Sequence, residues 1–99
     1  MLNYDIIEKI QQYFSTKPVE KVYLFGSYSR SDQNEESDID LLLKFNTDSN
    51  IGLIQFSRMK IDIENILNHK VDLLTEDAIS PYIKPYIQND LIKIYEKSN

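Results

Sequence analysis

Two aspartates a single residue apart, Asp38 and Asp40, head the apolar run DIDLLLKF, and a third, Asp72, sits inside KVDLL. On an extended strand, residues two apart point to the same side, so Asp38 and Asp40 would hold their carboxylates close together. Unpaired, each would raise the other's pKa and oppose folding. A hard divalent cation removes that repulsion, because Mg²⁺ takes oxygen ligands and is commonly held by one or two carboxylates together with substrate phosphates. Gly26 and Ser27 stand ten residues ahead of the pair, where one apolar run gives way to a polar loop. A strand end that turns into a helix offers backbone N–H groups and a hydroxyl to phosphate oxygens, and glycine lets a ligand approach the backbone closely. Phosphates at Ser27 and metal ions at Asp38 and Asp40 together form the layout of metal-assisted phosphoryl or nucleotidyl transfer. Asp72, flanked by Val71, Leu73 and Leu74, reads as a charge in buried surroundings, costly unless it is paired. If its strand lies beside that of Asp38 and Asp40, it reaches the same metal ions.

The elements that must position these residues follow from periodicity. Leu2, Ile6, Ile7, Ile10 and Phe14 recur at helical spacing, predicting a helix over 3–15 that ends at STKP, since Pro18 disfavours helical geometry in the residue before it. A β-branched and aromatic run predicts a strand over 20–25, followed by a short polar turn or helix at 27–31. In the run from Asp38 to Phe45, Ile39, Leu41, Leu43 and Phe45 alternate with Asp38, Asp40, Leu42 and Lys44. One face of that strand therefore meets a core while the other carries both carboxylates at one end. A second helix is expected over roughly 51–67, ended by Asn68 in the left-handed conformation, and a third strand over 70–74. Ser80 and Pro81 look like a cap and a first helical position, but Pro85 interrupts, so the last helix is expected at about 85–96 with Ile83, Tyr86, Ile87, Leu91 and Tyr95 facing inward. The fold class is therefore α/β (α+β): a small mixed sheet of three or four strands flanked by helices, forming one domain over residues 1–99.

Composition narrows the function. With 41 % apolar and 27 % charged residues the chain is expected to fold. It has no cysteine, no signal-peptide pattern and no run near the roughly 20 apolar residues of a membrane span, which points to a cytoplasmic protein. A net charge of −5 with only two arginines, Arg30 and Arg58, repels a nucleic-acid backbone. The acidic loop with Asp32, Glu35 and Glu36 reads as solvated and mobile, the seven tyrosines fall mostly at core positions, and His69, the only histidine, reads as a helix-end surface residue. Rival motifs fail on their own residues. Leu42 and Leu43 stand where a calcium loop needs a ligand and a glycine, no Gly-Lys-Ser/Thr completes a P-loop, and Phe25 and Ser29 occupy the glycine positions of a serine nucleophile elbow.

The stretch FGSYSRSDQNEESDIDLLLKF resembles the signature of the DNA polymerase β-like nucleotidyltransferase superfamily: Gly-Ser, ten residues, then Asp-x-Asp. VDLL resembles its third carboxylate, and the short chain is similar to the minimal nucleotidyltransferases, or MNT domains. The similarity spans roughly residues 18–76, and the terminal helices loosely. The resemblance implies two Mg²⁺ ions held by Asp38, Asp40 and Asp72, with Asp72 also helping to deprotonate the nucleophile. It implies β- and γ-phosphates of ATP at Gly26 and Ser27, with Arg30 as a further phosphate contact. It further implies an antitoxin that transfers AMP to a tyrosine of a HEPN-domain ribonuclease toxin, in a hetero-oligomer with that toxin. The family often has glycine before the third strand, where this chain has NHK, leaving the geometry of that loop open. Two rivals remain: an antitoxin that neutralises by contact alone, its acidic surface covering a basic groove, and a nucleotidyltransferase acting on a small molecule.

Overall fold

The computed structural model describes residues 2–31, 34, 37–82 and 84–97. Helix α1 (Tyr4–Ser15) begins at Asn3, whose Oδ1 accepts the Ile6 N–H at 2.9 Å, and it buries Ile10 and Phe14. Strand β1 (Val19–Phe25) leads into a single helical turn, α2 (Ser27–Arg30), and β2 spans Ile39–Phe45. Helix α3 (Leu53–Leu67) buries Met59 and Ile63 and ends at Asn68, which takes the left-handed conformation at φ 51°. That residue, in the NHK stretch, supplies the helix-ending turn that a glycine often provides. Strand β3 (Val71–Thr75) follows, then a short 3-10 turn at Glu76–Ala78, helix α4 (Lys84–Gln88) and strand β4 (Ile92–Glu96).

The sheet runs β3-β2-β1-β4, with β1 antiparallel to both β2 and β4 and β2 parallel to β3. One of its faces packs against α1 and α3. Val22 and Leu24 of β1, Ile39, Leu41 and Leu43 of β2, and Val71 and Leu73 of β3 join Ile10, Phe14, Met59 and Ile63 in one core. The alternation expected for β2 therefore holds. Each Leu or Ile sealed in that core contributes about 1.5–3 kcal/mol relative to an exposed side chain. The two helices are also tied by the Tyr13 hydroxyl, which donates to Asp62 Oδ2 at 2.9 Å. Burial and the neighbouring carboxylate together push that hydroxyl's pKa up. Tyr13→Phe, which removes only this bond, is expected to cost about 0.5–1.5 kcal/mol in urea unfolding with no change in slope. A loss below the error of the fit would show that the bond contributes nothing.

The C-terminal expectation is corrected. Residues 85–96 do not form one helix: the helical segment stops at Gln88, and β4 takes the edge beside β1, with Tyr95 opposite Val22 and Ile92 opposite Leu24. Asn89 and Asp90 form a turn in which the Asp90 N–H donates to the Ile87 carbonyl at 2.9 Å. Beyond it, Ile92, Ile94 and Tyr95 are β-branched or aromatic, suited to a pleated surface, and Ile94 is the buried one at 7 %. Tyr86, expected inside, is 79 % exposed, and Tyr4 and Tyr82 are also exposed, so the tyrosines are less internal than their spacing implied. Ser80 and Pro81 introduce a turn rather than a continuous helix. Ile83 and the acidic loop residues Asp32, Glu35 and Glu36 lie outside the described residues.

The second face of the sheet is only partly covered. Leu42, 2 % exposed, lines a small cavity of about 250 Å³ with Tyr23, Ile79, Ile87 and Leu91. The segment after β3 thus shields the middle of this face and leaves the β2 end that carries the aspartates open. No helix among the described residues is long and apolar enough to cross a membrane.

Candidate active site

Asp40 is the second residue of β2, and its Cα partner on the parallel strand β3 is Asp72. On β1 its partner is Phe25. Directly paired residues project to the same side, so Phe25, Asp40 and Asp72 form a row across three strands, with Tyr23, Leu42 and Leu74 in the next row. Asp38 precedes β2 and is exposed, whereas Asp40 is half-buried. The expectation that Asp72 is buried is corrected: it is exposed, because strand alternation sends Val71 and Leu73 into the core and Asp72 to the opposite face. Its apolar neighbours in sequence are not its neighbours in space.

Gly26 sets the fit of the turn against this row. Its φ is +75°, and a Cβ built on it would lie 2.2 Å from Asp40 Oδ2. The end of β1 and the Asp40 carboxylate are therefore in van der Waals contact only because residue 26 has no side chain. Ser27, half-buried, opens α2, where the Ser29 and Arg30 N–H groups donate back to the Gly26 carbonyl at 3.1 and 3.2 Å.

Electrostatically the site is under-compensated. Loss of hydration, then the charge of Asp72, then that of Asp38 push the Asp40 carboxyl up to about 6 from 3.8, with Arg30 acting in the opposite direction. Arg30 also engages Asp90, its Nη1 lying 2.8 Å from Asp90 Oδ2. Its guanidinium thus lies between the acid row and the turn before β4, and Asp90 is a neighbour that no motif marked. Among the described residues, no three carboxylate or imidazole side chains close into a finished cation cage. The Asp40 and Asp72 carboxylates, paired across parallel strands with unrelieved charge, fit Mg²⁺, which completes its shell with phosphate and water oxygens. Gly26, Ser27, Arg30, Asp38, Asp40 and Asp72 are brought to one end of the sheet. A cleft of about 750 Å³ at the far ends of β2 and β3, against Phe45, Phe56 and Leu73, holds none of the six.

His69 is more than a surface residue. It is half-buried, with Nε2 3.2 Å from the Tyr28 hydroxyl and Nδ1 2.9 Å from the Lys70 carbonyl. The sequence gives no sign of this contact, since 41 residues separate the two side chains.

A four-stranded mixed sheet flanked by helices, a Gly-Ser turn and paired aspartates define a nucleotidyltransferase. Residues 5–94 match the family model described as nucleotidyltransferase domain, and the chain belongs to that family. It is 37 % identical over 92 residues to a protein of Methanocaldococcus jannaschii provisionally named a protein adenylyltransferase, the match covering 91 % of this chain and 92 % of the other. Its fold is similar to that of a chain in a toxin–antitoxin crystal structure with AMP-PNP, with TM-score 0.75 and 23 % identity over 98 % of this chain and 76 % of that one. It is also similar to a chain in the complex of a tri-AMPylated Shewanella oneidensis HEPN toxin with an MNT antitoxin, with TM-score 0.69 and 19 % identity over 93 % and 71 % of the two chains.

Proposed function

We propose that this nucleotidyltransferase transfers AMP from ATP to a tyrosine hydroxyl of a partner protein, a HEPN ribonuclease toxin, and so acts as its antitoxin. The observation that carries the proposal is the pairing of Asp40 with Asp72 across parallel strands, beside a glycine whose missing side chain admits the Asp40 carboxylate. The relative named a protein adenylyltransferase and the folds shared with toxin–antitoxin chains support the acceptor being a protein. Asp38, Asp40 and Asp72 would hold two Mg²⁺ ions, which when bound neutralise charge developing at the α-phosphate and lower the pKa of the acceptor hydroxyl. Gly26 and Ser27 seat the β- and γ-phosphates, and the Arg30 guanidinium adds positive charge beside them. Asp72, exposed at the mouth of the row, takes the proton of the acceptor tyrosine, whose ordinary pKa is about 10. The tyrosine oxygen bonds to the α-phosphorus as the α–β P–O bond breaks, and pyrophosphate leaves with the electron pair.

The test uses ATP labelled at the α-phosphate, Mg²⁺, the purified chain and a purified HEPN-domain toxin as acceptor. Label is expected on a toxin tyrosine, and Asp38→Asn with Asp40→Asn is expected to abolish it. Undiminished labelling by the double variant would overturn the mechanism. Neutralisation of the toxin by that variant without label would favour an antitoxin acting by contact alone.

A further inference from the structure

Three hydrogen bonds outside the acid row join the elements that carry the site residues. The Tyr28 hydroxyl, one residue beyond Ser27, lies 3.2 Å from His69 Nε2. His69 Nδ1 lies 2.9 Å from the Lys70 carbonyl. The same carbonyl accepts, at 3.0 Å, the N–H of Ile39, the residue between Asp38 and Asp40. A carbonyl only accepts, so Nδ1 carries the ring proton in this network, and Nε2 of that tautomer accepts from the Tyr28 hydroxyl. The two rings also meet edge to face, with centroids 5.9 Å apart at 83°.

We propose that Tyr28 and His69 are positioning residues: the chain from Tyr28 through His69 to the Lys70 carbonyl fixes the triphosphate seat on α2 relative to the carboxylates on β2 and β3. This inference rests on the nucleotidyl-transfer reading of the site. The need for such a tether follows from the architecture. Helix α2 is a single turn of four residues, too short to hold its own direction. The strand ladder fixes Asp40 against Asp72 but does not extend to α2. The far end of the tether is firm. The His69 N–H donates to the Glu64 carbonyl at 3.2 Å, and the Glu64 carboxylate accepts the Val71 N–H at 3.0 Å, which locks the loop to the end of α3. Lys70 in turn stands two residues before Asp72. One side-chain bridge thus connects the phosphate turn, the aspartate pair and the third carboxylate.

A divalent cation tightens a nucleotide only when phosphates and carboxylates reach it together, so the Mg²⁺-dependent gain in nucleotide affinity reads the spacing of the two halves. The experiment is calorimetric titration of the full chain with AMP-PNP, in Mg²⁺ and in EDTA. Tyr28→Phe, which keeps the ring, and His69→Ala are each expected to cut the Mg²⁺-dependent gain about 10-fold while leaving the affinity in EDTA unchanged. Tyr28→Phe with His69→Ala is expected to lose no more than either alone, as for two parts of one tether. His69→Gln, whose amide still accepts from Tyr28, is expected to recover part of the gain and carries the test if His69→Ala does not fold. Full Mg²⁺ gain in Tyr28→Phe, or losses that multiply in the double variant, would overturn the proposal. A wild-type chain that binds AMP-PNP no better in Mg²⁺ than in EDTA would instead overturn the nucleotidyl-transfer reading on which it rests.

Discussion

Asp40→Asn is expected to lower AMP transfer at least about 10³-fold, roughly 4 kcal/mol of barrier, while making the metal-free protein more stable at neutral pH. The two effects have one cause. Asp40 is half-buried and faces Asp72, with Asp38 nearby, so its carboxyl is held at about 6 against an ordinary 3.8. Between these values the native chain keeps a proton that the unfolded chain has released. The stabilising contribution is therefore complete below about pH 4 and is lost as pH rises through about 6. A separation of that size corresponds to at most about 3 kcal/mol, and water reaching the half-buried side chain reduces it to about 1–2 kcal/mol. Asparagine carries no charge to repel. The variant's melting temperature should exceed that of the wild type by several degrees at pH 7.5 in EDTA, and the gap should close near pH 4. Mg²⁺ should raise the melting temperature of the wild type and not that of the variant. A variant less stable than the wild type at pH 7.5, or one that transfers AMP at a normal rate, would sink this account.

Gly26→Ala should be nearly as damaging, by a steric route. A φ of +75° costs an L-residue about 1–2 kcal/mol. The new Cβ would lie 2.2 Å from Asp40 Oδ2 and 3.0 Å from its Cγ, so the carboxylate must swing away from the row it shares with Asp72. A catalytic group misplaced by about 1 Å costs on the order of 100-fold, so transfer should fall by at least about that factor while stability falls by about 1–3 kcal/mol. Gly52→Ala is the control. Its φ is −82° and nothing lies within 4 Å of the position a Cβ would take. Transfer by this control should stay within about twofold of the wild type, because it touches no site residue. Equal loss of transfer in both variants would mean that general weakening of the fold, not displacement of Asp40, is responsible.

Much of this architecture is written in local pattern. The period-two run from Ile39 to Phe45 separates a core face from an acidic face without reference to any partner, because alternation is a property of the extended chain itself. The helical spacing of Ile10 and Phe14, and of Met59 and Ile63, likewise marks the faces that α1 and α3 bury. Residues 85–96 were not legible in this way. A helical spacing can be drawn through Ile87, Leu91 and Tyr95, but the strand forms because β1 has an unpaired edge that Ile92–Glu96 can satisfy. A free ladder of N–H and C=O groups is a tertiary fact, and it outweighs the weak local preference of a short segment.

The site divides along the same line. Residue type and spacing single out Gly26, Ser27, Asp38, Asp40 and Asp72, because a carboxylate pair two residues apart on a strand and a glycine at a strand end keep their chemistry whatever surrounds them. Only the packed molecule decides that Asp72 is exposed rather than buried, that Asp40 is the carboxylate under electrostatic pressure, and that Arg30 is shared with Asp90. Only there does His69 meet Tyr28. Those properties depend on which strands are neighbours and on how far water reaches, and both are set by long-range pairing that a one-dimensional pattern does not contain.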